Sequence, residues 1–206
     1  MHARTTTVDA RRGTLDAGLA YIRDEVFGTV TSMPGCIGMS LVVDRDSGRC
    51  IAASAWESEE AMRATENAVA SLRDRATEVF GSTPQVEEWE IAAMHRNHTS
   101  GAGACVRSTW LQGAPADVDR STDVFKLTTL PAIEEFDGFC SASLLVNRTT
   151  GRALATVVYD SRVALEASRD RAGALRDRTS NEMGAGIEAV REFDLVMAHL
   201  HVPEMA

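Results

Sequence analysis

Nothing in this chain approaches the ~20 consecutive apolar residues that a membrane-crossing helix needs, so a helical span is excluded. The opening stretch, Met1 to Gly13, is polar and lacks the apolar core of a secretory leader. Basic runs are missing too. With 21 Lys and Arg against 30 Asp and Glu, the formal net charge is −9 and the pI is near 5.0. Such a surface repels phosphate backbones, so nucleic acid is not an expected partner. Four cysteines, Cys36, Cys50, Cys105 and Cys140, show no CxxC or metal-ligand spacing. They read as buried thiols acting as small hydrophobes in a reducing setting, and the expected location is cytoplasmic. GxSxG, the P-loop, GxGxxG and HExxH are all absent, so no conventional nucleophile or metal signature stands out. What is left is a globular composition, 44% hydrophobic and 25% charged.

What the chain does have is itself, twice. Shifted by 103 residues, Arg4 falls on Arg107, Gly35 on Gly138, and Leu41-Val42-Val43 on Leu144-Leu145-Val146. Gly48-Arg49 falls on Gly151-Arg152, and Leu72-Arg73-Asp74-Arg75 on an identical Leu175-Arg176-Asp177-Arg178. With one extra residue near Gly184, Glu88-Trp89-Glu90-Ile91 meets Glu192-Phe193-Asp194-Leu195, and His95 meets His199. Roughly a quarter of the aligned positions are identical, the self-similarity of an internal duplication. The period is too long for a solenoid unit, so each copy is a small domain. The expected division is residues 1–96, a polar Gly-containing linker at 97–103, and residues 104–206.

Each copy reads strand, helix, strand, strand, helix, strand. Leu15, Leu19, Ile22, Val26 and Val30 recur at helical spacing, and a first helix is expected over Thr14 to Thr31. Its counterpart runs from Asp117 to Glu135, with Pro131 placed to kink it or end it early. Alternating Ile37, Met39, Leu41 and Val43 lead into Asp44-Arg45-Asp46-Ser47-Gly48, a hairpin turn, and a strand returns over Arg49 to Trp56. Ser58 caps a long helix whose stripe is Ala61, Ala68, Leu72, Ala76 and Val79, and Gly81 and Pro84 stop it. Ser161 caps the second copy's helix, and the Gly184-Gly186 pair ends it. Last strands are expected over Val86 to His95 and Val190 to His201. A βαββαβ unit is the ferredoxin-like arrangement. The expected fold class is therefore α+β: two tandem ferredoxin-like domains packed sheet to sheet as a pseudo-dimeric barrel. That makes a monomer, with a further homodimer left open.

Trp56-Glu57-Ser58-Glu59-Glu60-Ala61-Met62, closing a strand and opening a helix, resembles the motif of the antibiotic biosynthesis monooxygenase-like family, of the dimeric α+β barrel superfamily. Tyr159-Asp160-Ser161-Arg162-Val163-Ala164-Leu165 is the same motif in degraded form. The resemblance implies a small-molecule-binding protein, with cofactor-independent oxygenation of an aromatic or polyketide-like substrate as one activity found in the superfamily. A non-catalytic binding or interaction module is the alternative, and a haem-binding protein a third. The family often carries a His on the long helix; here that position holds Thr65, and Ser168 in the second copy.

Candidate site residues come in matched pairs. Trp56 and Tyr159 sit at the strand-to-helix junctions, where aromatics could frame an apolar pocket or plug the core. His95 and His199 lie on the last strands, as a base or haem ligand, or simply as polar strand ends. Arg49 and Arg152 follow the hairpin glycines and could clamp a ligand carboxylate or pair with nearby acids. Ser40 and Ser143 line the open sheet faces. The Leu-Arg-Asp-Arg repeats read as outward helix faces with local ion pairs. His98 and His201 read as surface residues of the linker and tail. No metal site is expected, no cofactor is required, and the expected partner is a small apolar or aromatic molecule.

Overall fold

The structure, a computed structural model, describes residues 1–200, the side chain of Leu200 excepted. His201 lies outside the described residues. Two compact units emerge. The first gathers Met1–Trp89 and, among the described residues, Leu195 to Leu200; the second gathers Glu90–Asp194.

In the first copy the chain runs β1 (His2–Asp9), α1 (Leu15–Tyr21), a π-helical turn (Ile22–Val26), α2 (Phe27–Thr31), β2 (Cys36–Asp44), β3 (Arg49–Trp56), α3 (Glu59–Ala64), α4 (Glu66–Phe80) and β4 (Gln85–Arg96), which passes from the first unit to the second at Glu90. β3 is central and antiparallel to both neighbours, with Thr6 opposite Ala52 on one side and Leu41 opposite Ala52 on the other. The second copy repeats this with β5 (Cys105–Gln112), a short 3₁₀ turn (Pro115–Asp117), α5 (Val118–Val124), a π-helical turn (Phe125–Thr129), α6 (Leu130–Glu134), β6 (Phe139–Asn147), β7 (Arg152–Tyr159), α7 (Arg162–Ala167), α8 (Arg169–Met183) and β8 (Gly186–Leu200), which passes to the first unit at Leu195. Here β7 is central, with Thr109 opposite Ala155 and Leu144 opposite Ala155. The outer positions go to β8, beside β5, and to the Glu90–Arg96 part of β4, beside β6. Both units are α+β and ferredoxin-like, as the sequence predicts.

The caps form as the residue types require. Ser58 Oγ accepts from the Ala61 amide at 3.1 Å and Ser161 Oγ from the Ala164 amide at 3.2 Å, each satisfying an otherwise orphaned first-turn N–H. α4 and α8 end on Gly81 and Gly184 at φ +73° and +67°, the left-handed cap that glycine allows without penalty.

Two expectations change. Each long helix is broken after one and a half turns, at Thr65 and at Ser168. The hydroxyl of each turns back to the carbonyl three residues earlier, Met62 O at 2.7 Å and Leu165 O at 2.8 Å, in competition with the helical ladder. Pro131 does not stop the second copy's first helix, which continues to Glu134. The π-helical turn ahead of it is not the proline's doing either: the first copy has the same turn, and Gly28 stands where Pro131 does.

The cores lie between sheet and helices. Leu19, Ile22, Val30, Leu41, Trp56, Met62 and Phe80 form the first, all buried. Phe125, Ile133, Phe139, Leu144, Tyr159, Leu165 and Met183 form the second.

Candidate functional site

Alternation along β1, β2 and β3 sends Arg4, Thr6, Val8, Met39, Leu41, Ala52 and Ser54 to the helix side of the first sheet. There they meet Ile22, Val26 and Val30 of the first helical segment and Val69, Leu72, Arg73, Ala76 and Phe80 of α4. The side chains do not close completely, and a cavity of ≈ 70 Å³ remains, lined almost wholly by apolar atoms. The second unit holds a cavity of the same size, ≈ 70 Å³, at the same place. Its walls match position for position at the 103-residue offset: Arg107 for Arg4, Phe125 for Ile22, Ile133 for Val30, Leu175 for Leu72, Arg176 for Arg73, Met183 for Phe80. In each, the π-helical turn presents its first and last residues to the cavity: Ile22 and Val26, Phe125 and Thr129. π-helical turns recur at functional positions in proteins generally.

One charged group is buried in each wall. Arg4 is 4% exposed and Arg107 5%. A guanidinium stays charged, so its burial must be compensated. The helix breaks supply part of the compensation. Arg4 Nη2 donates to the freed Met62 carbonyl at 3.1 Å and Nη1 to Thr65 Oγ1 at 3.4 Å; Arg107 Nη2 donates to Leu165 O at 2.8 Å and Nη1 to Ser168 Oγ at 2.9 Å. Carboxylates supply more, although Arg4 Nε stays buried without a hydrogen-bond partner among the described residues. Arg4 meets Glu88 at 3.0 Å and Glu66 at 2.9 Å. Arg107 meets Glu192 through both Nε (3.1 Å) and Nη2 (2.9 Å). Burial pushes the Glu192 carboxyl up, but the hydrogen bonds from Arg169 and Arg107 outweigh it and hold the group below the usual glutamate value. Thr65 and Ser168 are thus both taken up by the buried arginines.

The sequence-predicted residues fall in different places. Tyr159 lines the second cavity, with its hydroxyl 3.4 Å from Arg107 Nη1 and its ring 5.5 Å from the Arg107 guanidinium carbon. Trp56 is fully buried behind the first cavity and donates from Nε1 to Ser54 Oγ, a wall residue, at 3.0 Å. Ser40 and Ser143 alternate with wall and core residues, so they stand on the sheet faces away from the helices. His95 is half-buried, 2.6 Å from Glu134 and stacked on Phe139. His199 meets Phe27 edge to face. Arg49 makes a two-pronged pair with Asp9 at 2.7 and 2.8 Å, and Arg152 pairs with Glu188 at 3.2 Å. His95, His199, Arg49 and Arg152 line neither cavity.

Arg4, Arg107, Arg73 and Arg176 carry the polar chemistry of the walls, and sequence reading assigned them no site role. Leu72-Arg73 and Leu175-Arg176 face the cavities, although Leu-Arg-Asp-Arg reads as an outward charged face; Asp74, Arg75, Asp177 and Arg178 are exposed as that reading expects, and Arg75 pairs with Glu78. A signal was present: Arg73 shares the 3–4 spacing of Val69, Ala76 and Phe80. Cys50 also lines the first cavity, and burial pushes its thiol up to about 12. Among the described residues no group of three or more His, Cys, Asp or Glu is placed to hold a metal ion, and no helix is long and apolar enough to cross a membrane.

Two βαββαβ copies, each with an apolar cavity between sheet and helices and a guanidinium buried in its wall, define an α+β protein of the ferredoxin-like class. The sequence model of the antibiotic biosynthesis monooxygenase family matches residues 1–73. The uncharacterized protein Rv2557 of Mycobacterium tuberculosis is 52% identical over all of this chain and 92% of its own length. A solved structure described as an anthrone oxidase-like protein superposes with a TM-score of 0.69 at 15% identity, covering 100% of this chain and 95% of that one. A haem-degrading enzyme from Listeria monocytogenes superposes with a TM-score of 0.55 at 10% identity, over 94% and 98% of the two chains. At those identities the likeness is one of fold. The chain belongs to the antibiotic biosynthesis monooxygenase family, in which it is a tandem duplication.

Proposed function

We propose that this protein binds a small apolar or aromatic molecule in the cavities between sheet and helices. The observation that carries this is the twofold occurrence of one cavity, apolar on nearly all sides, with a buried guanidinium at a matched point of its wall. Apolar cavities with a few convergent polar groups are the usual form of a small-molecule site. Size limits the ligand. A dry cavity of ~150 Å³ accommodates benzene, so ≈ 70 Å³ suits a short branched chain, and a single ring once the walls give slightly. Titration with phenol and with toluene should raise the unfolding temperature with ligand concentration. Methyl NMR shifts should be confined to wall residues such as Leu41, Leu72, Leu111 and Leu175. Ala76→Leu, which fills the first cavity, should remove the shifts there alone. An unfolding temperature unmoved at millimolar ligand, with no methyl shifts, rejects the site.

The finer reading is oxygenation without a bound cofactor. An apolar cavity would hold an electron-rich aromatic, and guanidinium and hydroxyl groups would face the oxyanion that develops on it. The structurally similar anthrone oxidase-like protein gives the test its substrate. In such a reaction a CH₂ becomes a carbonyl; one atom of O₂ enters the product and the other leaves as water. Oxygen uptake with an anthrone should be lost in the Arg4→Met, Arg107→Met double variant. A rate no faster than the protein-free control would reject turnover and leave binding. Binding without turnover is the second reading, favoured because the polar groups on the walls are guanidinium and hydroxyl groups, beside a Cys50 thiol held protonated. Haem does not fit these residues: the cavities are far too small for a tetrapyrrole, and the position of a helical His holds Thr65 and Ser168.

A further inference from the structure

Arg73 and Arg176 occupy one position in the two copies, each on the cavity face of its long helix. Their surroundings differ by a single reversal of charge. Arg73 is ion-paired with Glu66. At the position of Glu66 the second copy has Arg169, which turns instead to Glu192 at 2.8 Å. Arg176 therefore has no hydrogen-bond or ion-pair partner for its side chain among the described residues, and its Nε is buried with nothing to donate to. Arg107, nearby, cannot supply the contrast, because its donors go to Glu192, Ser168, Leu165 O and the Tyr159 hydroxyl. The rest of the second wall is more polar than the first: Thr129 replaces Val26 and Thr179 replaces Ala76.

Arg176 is half-buried, and its buried Nε is a costly orphan unless an anion joins it; arginine cannot lower that cost by losing its proton. Its Nε and Nη donors form a planar fork that fits the two oxygens of a carboxylate. We infer that the second cavity binds a small monocarboxylic acid, its apolar body among Phe125, Ile133 and Leu175 and its carboxylate on Arg176, whereas the first cavity takes a neutral apolar molecule. This rests on the reading of the cavities as ligand sites and adds the chemical class of one ligand.

The test is calorimetric titration of the full chain with hexanoate and with hexanamide, which share a body and differ in charge. Hexanoate should bind the second cavity at least tenfold more tightly, the scale of a hydrogen bond to a charged group. Arg176→Gln should erase that preference, and Arg73→Gln should leave it unchanged. Arg169→Glu, which restores the acid of the first copy and leaves Arg176 in place, should erase it as well, so the inference stays testable if Arg176→Gln fails to fold. Equal binding of the acid and the amide, or a preference that survives both second-copy variants, would overturn the inference and leave the cavities as neutral ligand sites. Binding of neither compound would overturn the inference and the cavity reading together.

Discussion

In the first unit the buried Arg4 is held by two carboxylates, Glu88 and Glu66; in the second, Arg107 has Glu192 alone among the described residues. Glu192 in turn serves Arg169 as well. The same fold thus compensates the same buried charge in two ways, by two acids in one copy and by one acid that takes two donors in the other. The difference traces to α3/α4 and α7/α8, where Glu59, Arg63 and Glu66 face Arg162, Glu166 and Arg169 at the repeat offset, three reversals of sign. A backbone scaffold can be duplicated intact while the charge pattern on one helix is rewritten, provided each buried guanidinium keeps at least one acid.

That comparison breaks most sharply at Glu192. Removing the one partner of a buried charge costs ~3 kcal/mol or more, so Glu192→Ala should lower stability by about that much in urea unfolding. Glu88→Ala, which leaves Arg4 with Glu66, should cost about 1 kcal/mol. Equal costs would mean that Glu66 does not compensate Arg4. Acid sharpens the point. The folded value of Glu192 lies below its unfolded value of ~4.3, so its stabilisation is complete above that pH and is lost as pH falls through the folded value. The Glu192→Ala variant should lack that acid-side slope.

A smaller effect is expected at Gly138, where φ is +72° and a Cβ would lie 2.5 Å from Ala164 Cβ. Gly138→Ala adds a strained left-handed residue to a clash at the α7 cap, together about 2 kcal/mol. Gly35, with a Cβ 2.6 Å from Ala61, should respond alike, because here the two copies agree. The smallest effect concerns thiol chemistry. With its thiol pushed up to about 12, Cys50 carries almost no thiolate at pH 8, and iodoacetamide should leave it unmodified in the folded protein while labelling it in urea. Ligand in the first cavity should slow any residual labelling.

Strand alternation, the caps Ser58 and Ser161, the stops Gly81 and Gly184 and the repeat offset were all legible, because each depends on a local rule: period, cap chemistry or left-handed backbone. The helix breaks were not. Thr65 and Ser168 are ordinary helix residues until a buried arginine from a strand some 60 positions away takes the carbonyl that the break releases. Arg73 and Arg176 were hidden for a related reason. A charged residue on an apolar stripe reads as an exception to be pointed outward, yet a long arginine stem packs well against apolar walls. The cavities themselves are what imperfect closure leaves between Ile22, Leu41 and Phe80, and no pairwise pattern encodes a gap.

The π-helical turns Ile22–Val26 and Phe125–Thr129 sit at the same offset, although their residues share no identity. An inserted residue at the same point of both helices is most simply inherited from one ancestor, so the widened turn is older than the duplication. The exchange of Glu66 and Arg169 separates the copies and must be younger. The chain therefore keeps a record of order: the chamber came first, doubling followed, and only then did the two chambers diverge in the charge of their walls.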